Sequence, residues 1–252
     1  MTFLSSRRNF LIGGLAAGIT AAAARLPAWA RRRDGAFFVE RFWSRDRRGW
    51  GWPWFNQRYG RNWTIEGGRG IYRLPATAND SYYRPNPILV LDRDVAQIDL
   101  RATISTNNAS ARAGLIARAS SYADYYAAYI TAHALRVVRC GPLDETVLAK
   151  SELFLESDKR YRLRLQVKGR GPVTIRAKAW RLSESEPKEW MVEYVDANPD
   201  AGLLEAGPFG IYFAHALDGR SATLRVKEVR AWSGDRPRLT RPSLAFSLAG
   251  AP

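Results

Sequence analysis

Carboxylates, thiols and imidazoles do most bond-breaking chemistry in proteins, and here their spacing suits none of the common mechanisms. Retaining hydrolysis of a glycosidic bond needs two carboxyl groups about 5–5.5 Å apart, which a strand supplies when acids recur on one face. The nearest arrangement is Gln97-Ile98-Asp99-Leu100-Arg101, where Gln and Arg flank Asp99 on its own face. Neither a nucleophile nor an acid partner is available there. Cys140 is the only cysteine and has no histidine nearby in sequence, so its thiol lacks a base and no internal disulfide can form. His133 and His215 are the only histidines, which excludes a multi-histidine metal centre. Asp92-Arg93-Asp94 and Asp196-Ala197-Asn198-Pro199-Asp200 bring acids into loops of the kind that hold calcium, and a solvated turn explains them as well. No cofactor and no metal are expected, with Ca2+ at those loops the one alternative. The G-x-S-x-G, H-E-x-x-H and P-loop patterns are absent. Gly67-Gly68-Arg69-Gly70 precedes no helix and reads as a tight turn.

Residues suited to binding are more plentiful. Trp50-Gly51-Trp52-Pro53-Trp54 places three indoles at alternating positions, which share one side if the chain is extended. Flat aromatic faces stack on sugar rings, and the neighbouring Arg48 and Arg58 can reach hydroxyl, carboxylate or phosphate groups. Pro53 and the glycines make this segment a loop or an edge. The competing reading has the indoles plugging one end of the core. A second patch joins Tyr82, Tyr83 and Arg84 with Tyr125, Tyr126 and Tyr129. Tyrosine-rich faces suit wet grooves, and cross-strand tyrosines also stabilise sheets.

The elements that must carry these residues are strands. Tyr161 to Val167 alternates apolar and polar residues without a fault, Lys168-Gly169-Arg170-Gly171-Pro172 breaks the run, and Val173 to Ala179 alternates again, so the two form a hairpin. Ala96, Ile98, Leu100, Ala102 and Ile104 alternate likewise. Further strands are predicted at Phe37–Trp43, Trp63–Glu66, Gly70–Leu74, Ile88–Leu91, Arg112–Ala119, Tyr125–Thr131, Leu135–Arg139, Thr146–Lys150 and Phe209–Ala214. Leu224 and Val226 share one parity but Val229 and Ala231 share the other, which demands a β-bulge near Lys227-Glu228. About a dozen strands with apolar-in, Arg/Lys/Thr-out faces imply an all-β, two-sheet antiparallel sandwich over residues 37–234. Arginines at the outward positions would make one face positive and attractive to polyanions.

The ends differ from this body. Arg7-Arg8, the uncharged run from Ile12 to Ala24, and Ala28-Trp29-Ala30 form a charged start, an apolar stretch and a cleavage site. The pair Arg7-Arg8 before Phe10-Leu11 resembles a twin-arginine (Tat) export signal, which implies a protein folded before export to the periplasm, cell wall or medium. The apolar run is shorter than the roughly 20 residues of a membrane span, so no stable transmembrane anchor is expected. Residues 1–30 hold three arginines and no acid, so 39 basic residues become 36 against 24 acidic, and a net charge of +15 becomes +12. Residues 31–36 read as a basic linker and 235–252 as a flexible Pro/Arg/Ser tail. An exported basic protein meets envelope polyanions rather than nucleic acid.

Phe38-Val39-Glu40-Arg41-Phe42-Trp43, Ala113-Gly114-Leu115-Ile116-Ala117, Gly207-Pro208-Phe209-Gly210-Ile211-Tyr212 and Val226-Lys227-Glu228-Val229-Arg230-Ala231-Trp232 resemble the opening, middle and closing strands of concanavalin-A-like jelly rolls, the laminin-G-like and glucanase-like superfamily. The laminarinase-type members carry Glu-x-Asp-x-x-Glu on one strand, and Gln97 to Arg101 departs from that pattern. Trp54 to Trp63 and the tail are also similar to N-terminal modules of Tat-exported actinobacterial phosphodiesterases. Together these imply an exported, non-catalytic carbohydrate-binding module of the cell envelope that favours anionic or wall-associated glycans. A hydrolase or phosphoesterase-associated module with an unrecognised site, and a structural or protein-binding laminin-G-like domain, are the alternatives.

Overall fold

Two antiparallel sheets stand face to face in the computed structural model, which describes residues 36–43, 46–51, 53–55, 62–76, 88–121, 123–141, 144–214, 218–234 and 238–239. In chain order the strands are β1 (Phe38–Glu40), β2 (Arg47–Arg48), β3 (Trp54–Phe55), β4 (Trp63–Glu66), β5 (Arg69–Leu74), β6 (Ile88–Val95), β7 (Ile98–Thr106), β8 (Arg112–Ala117) and β9 (Tyr125–Ile130). They continue with β10 (Ala134–Cys140), β11 (Glu145–Glu152), β12 (Tyr161–Lys168), β13 (Val173–Arg181), β14 (Val192–Asp196), β15 (Gly207–Ala214), β16 (Ala222–Ser233) and β17 (Arg238–Leu239). A single helical turn, α1 (Ala201–Leu204), lies between β14 and β15.

The first sheet runs β14-β13-β12-β7-β16-β5-β4-β2, with β1 also on β16; the second runs β11-β10-β9-β8-β15-β6-β17, with β3 also on β6. Period-two patterning explains the assembly. Tyr161, Leu163, Leu165 and Val167 of β12 point into the core, joined there by Ile98, Leu100, Ala102 and Ile104 of β7. From the second sheet come Ala113, Leu115, Tyr126, Ala128, Phe209, Ile211 and Phe213. Burying such a stripe stabilises by about 1.5–3 kcal/mol per large side chain.

The expected hairpin is β12–β13, paired from Tyr161↔Arg181 to Lys168↔Thr174. The expected bulge is present as well. The register of β16 against β7 shifts between Val226 and Glu228. Before it, β16 pairs with β5; after it, with β1. Gly67 and Gly68 both have positive φ in the turn between β4 and β5, the backbone that two-residue hairpin turns require.

Some boundaries differ from the sequence reading. The opening strand stops at Glu40 because Phe42 adopts a φ of +54°, which turns the chain. The strand from Ile88 runs on to Val95, and the short strands β2, β3, β14 and β17 carry no alternation long enough to read. Arg238–Leu239, inside the segment read as a flexible tail, pair with Asp94 and Arg93. Among the described residues no helix is long and apolar enough to cross a membrane.

Candidate ligand-binding face

Two of the three tryptophans expected to form a binding platform, Trp50 and Trp54, are core residues. Trp50 is 0% exposed and Trp54 4%. Their rings meet edge to face at 5.2 Å, Phe42 packs on Trp50 at 4.9 Å, and Phe38 packs on Trp54 at 5.7 Å. The Trp50 indole donates to the carbonyls of Thr64 (3.0 Å) and Ile71 (3.3 Å). A side chain at residue 70 would lie 2.7–2.8 Å from Phe42 and Trp50, so Gly70 opens the space they fill. The physical reason is area: an indole buries so much apolar surface that the open end of the sandwich takes it in. The segment is a loop and edge, as Pro53 required, but the indoles of Trp50 and Trp54 turn inward. Arg48 sits exposed on β2, opposite Thr64. Trp52 and Arg58 lie outside the described residues.

The β9 tyrosines of the second patch are corrected in the same way. Tyr125 and Tyr126 are both 0% exposed and point to opposite faces of β9. Tyr126 enters the core, where its hydroxyl donates to Asp196 Oδ2 at 2.8 Å. Burial, together with that carboxylate, pushes its phenol up. Tyr125 belongs to a second buried layer on the far side of the second sheet, with Ile116, Ala127, Tyr129, Cys140 and Tyr212. There Tyr129 and Tyr212 donate to the two oxygens of Glu145 at 2.5 and 2.8 Å, and Arg112 reaches Glu145 at 3.3 Å. Burial first, and then Glu145, pushes the Cys140 thiol up, which makes it inert rather than nucleophilic. Tyr82, Tyr83 and Arg84 lie outside the described residues. Asp196, the last residue of β14, is engaged by Tyr126 and by Arg139 at 3.4 Å, and Arg139 also reaches Asp200 in the loop that follows at 3.7 Å.

Solvent-facing aromatic and basic chemistry collects instead on the outer face of the first sheet. The pairing register sets Lys178 of β13 opposite Arg164 of β12, Arg164 opposite Arg101 of β7, and Arg101 opposite Arg230 of β16. Four cations therefore stand in one row across four strands, about 14 Å long at the usual strand spacing, with Lys178 at its end only 4% exposed. Tryptophans border the row. Arg101 lies 5.1 Å over Trp232, and Arg164 and Lys178 lie 4.9 and 5.0 Å from Trp190, both indoles being half-buried. Beyond Arg230 the row continues through Glu228 to Arg41, which lies 5.0 Å over Trp43. Trp43 is 72% exposed, turned outward by the positive φ of Phe42 beside it.

Acids thread this row. Asp99 receives Arg164 and, at 3.1 Å, the Gln166 amide. Glu186, from the β13–β14 connector, accepts from Arg164 at 2.7 Å, Lys178 at 2.8 Å and Arg101 at 3.1 Å. Burial acts to raise the Glu186 carboxyl, but Lys178, Arg164 and Arg101 outweigh it and hold it below the usual carboxylate range. Burial, with the neighbouring Arg164 charge, lowers the Arg101 guanidinium. Asp99, the nearest approach to a catalytic acid in the sequence, is thus locked in an arginine–amide network without a paired carboxylate on its strand.

Sequence reasoning missed Trp43, Trp190, Trp232 and the four cations as a set. Outward parity pointed to arginines on a sheet face, but which of them lie abreast depends on register across four strands. No alternation within one strand carries that information.

No family model matches the chain, and neither does any curated protein. Solved structures do. The carbohydrate-binding module CBM66 of Bacillus subtilis is similar at 17% identity and a TM-score of 0.51, over 72% of this chain and 96% of that one. A β-1,3-glucanase from Mycobacterium marinum gives 13% identity and 0.54, over 80% of this chain and all of that one. A glycosyl hydrolase family 16 protein from Mycobacterium smegmatis gives 12% and 0.50, over 78% and 100%. At these identities the likeness establishes the fold alone, a two-sheet antiparallel jelly-roll sandwich.

Proposed function

We propose that this chain is an exported, non-catalytic carbohydrate-binding sandwich of the cell envelope, and that its ligand rests on the outer face of the first sheet. One observation carries the reading: Trp43, Trp190 and Trp232 stand partly or largely open to solvent, each beside a guanidinium. Indoles offer flat apolar surface to sugar rings, while arginines offer fixed donors to hydroxyls and anionic groups. The shared fold of a carbohydrate-binding module and of glucanases supports a carbohydrate role. Asp99, held by Arg164 and Gln166, supports binding over turnover. Export rests on the twin-arginine-like start at Arg7-Arg8.

The test is retention of the mature domain on insoluble glycans, neutral and acidic. Wild type is retained on at least one; Trp190→Ala and Trp232→Ala together release it with the fold intact by circular dichroism. Unchanged retention in the double variant, or turnover of a glycoside by the wild type, overturns the proposal.

A further inference from the structure

Like charges set directly opposite one another across strands destabilise a sheet, yet Lys178, Arg164, Arg101 and Arg230 stand abreast. Arg162, one pair further along β12, adds an exposed fifth cation with no ion-pair partner among the described residues. Besides Asp99 on Arg164 and Glu228 on Arg230, the row is relieved at its centre by a carboxylate supplied by a loop. Glu186 Oε1 takes Arg164 and Lys178, while Oε2 takes Arg101. The connector is tied down around it: Lys178 also donates to the Pro187 carbonyl at 2.7 Å, and Trp190 covers Lys178 and Arg164.

We propose that the Lys178–Arg164–Arg101–Arg230 row is a carboxylate site for an acidic polysaccharide, in which Glu186 stands as an internal ligand that a uronate carboxylate of the polymer replaces. This rests on reading the same face as the glycan platform. The internal ligand names the external one: a planar, two-oxygen acceptor bridges three cations here, and a uronate presents the same group on a ring that Trp190 or Trp232 can hold. The row then answers only to polymers able to compete with Glu186, which selects against neutral chains and isolated anions. A carboxylate arriving on a polymer is held at several points, which gives it the advantage over a single tethered one.

The experiment uses the mature protein with Glu186→Ala and Glu186→Gln. Glu186→Ala melts at a lower temperature than wild type, and glucuronate restores the midpoint where sodium chloride and sodium sulfate of equal ionic strength do not. Glu186→Gln keeps the side-chain volume and reads the same rescue if the alanine variant does not fold. Glu186→Gln also binds polygalacturonate about tenfold more tightly than wild type, as expected for removing one charge-assisted competitor, and binds neutral glucan as before. Absence of glucuronate rescue, equal rescue by sulfate, or no gain on polygalacturonate overturns the carboxylate site. Loss of all glycan retention with rescue intact sinks the platform reading alone; retention of neutral glucan without rescue sinks the carboxylate site alone.

Discussion

Tyr129 and Tyr212 stack with ring centroids 4.7 Å apart and planes 11° from parallel, although their strands are not neighbours. Gly114 of β8 lies between them, opposite Tyr129 on one side and Tyr212 on the other. The two rings close over the place where a side chain would stand. A Cβ at residue 114 would come within 2.0 Å of the Ala128 carbonyl oxygen and 2.5 Å of Tyr129 Cα, both backbone atoms that cannot swing aside.

Gly114→Ala is therefore expected to destabilise the fold by at least about 3 kcal/mol, at the upper end of overpacking costs. Chemical denaturation measures the loss, and near-ultraviolet circular dichroism reports the broken tyrosine pair. A variant within 1 kcal/mol of wild type, the scale of a tolerated swap, contradicts the tight crossing.

Glu145 accepts from both tyrosines and from Arg112, whose side chain is largely buried. Glu145→Ala removes the shared acceptor of two phenols and the ion-pair partner of Arg112 at 3.3 Å, at a cost of about 2–4 kcal/mol once partial solvent access is allowed for. Arg112→Met combined with Glu145→Leu, which removes both charges, is expected to recover part of that loss in the same denaturation experiment.

Trp50 and Trp190 separate core from surface. Trp50→Ala should cost about 3–5 kcal/mol as a core truncation. Trp190→Ala should cost about 1 kcal/mol or less, the scale of an exposed cation–π contact, while weakening glycan retention. Equal stability loss in the two variants contradicts the assignment of Trp190 to an open face.

Acid should loosen the first sheet. Glu186 and Glu228 titrate below the ordinary value of 4.5 because arginine and lysine hydrogen bonds outweigh burial. A depressed native value means that their ion pairs contribute fully above about pH 5 and that the contribution fades as pH falls through the native value. Thermal midpoints from pH 6 to 3 should fall, and Glu186→Gln should flatten the slope. Glu66, held at about 2 by Arg73 and Thr64, is too exposed to add much.

Alternation made the sandwich legible. The β12–β13 hairpin and the β16 bulge follow from parity alone, because an inward polar residue would be penalised at every second step. The tryptophan site was illegible for the opposite reason. Trp50 and Trp54 lie in a segment where indoles alternate with Gly51 and Pro53 rather than with polar side chains, so nothing local told inward from outward. Trp190 and Trp232 looked ordinary because their value depends on Arg164 and Arg101, which lie 26 and 131 positions earlier in the chain.

The bulge at Lys227 lets one strand serve two masters. Residues 222–226 keep step with β5, while residues 229–231 keep step with β1. Because the extra residue absorbs the phase difference, Arg230 and Trp232 face outward beside Arg101 while Val229 and Ala231 still close the core. Were Lys227 paired as an ordinary strand residue, the charged half of the strand would turn toward the interior and its apolar half toward water. Looping Lys227 out of the ladder thus keeps the cation row and the hydrophobic centre in register with each other.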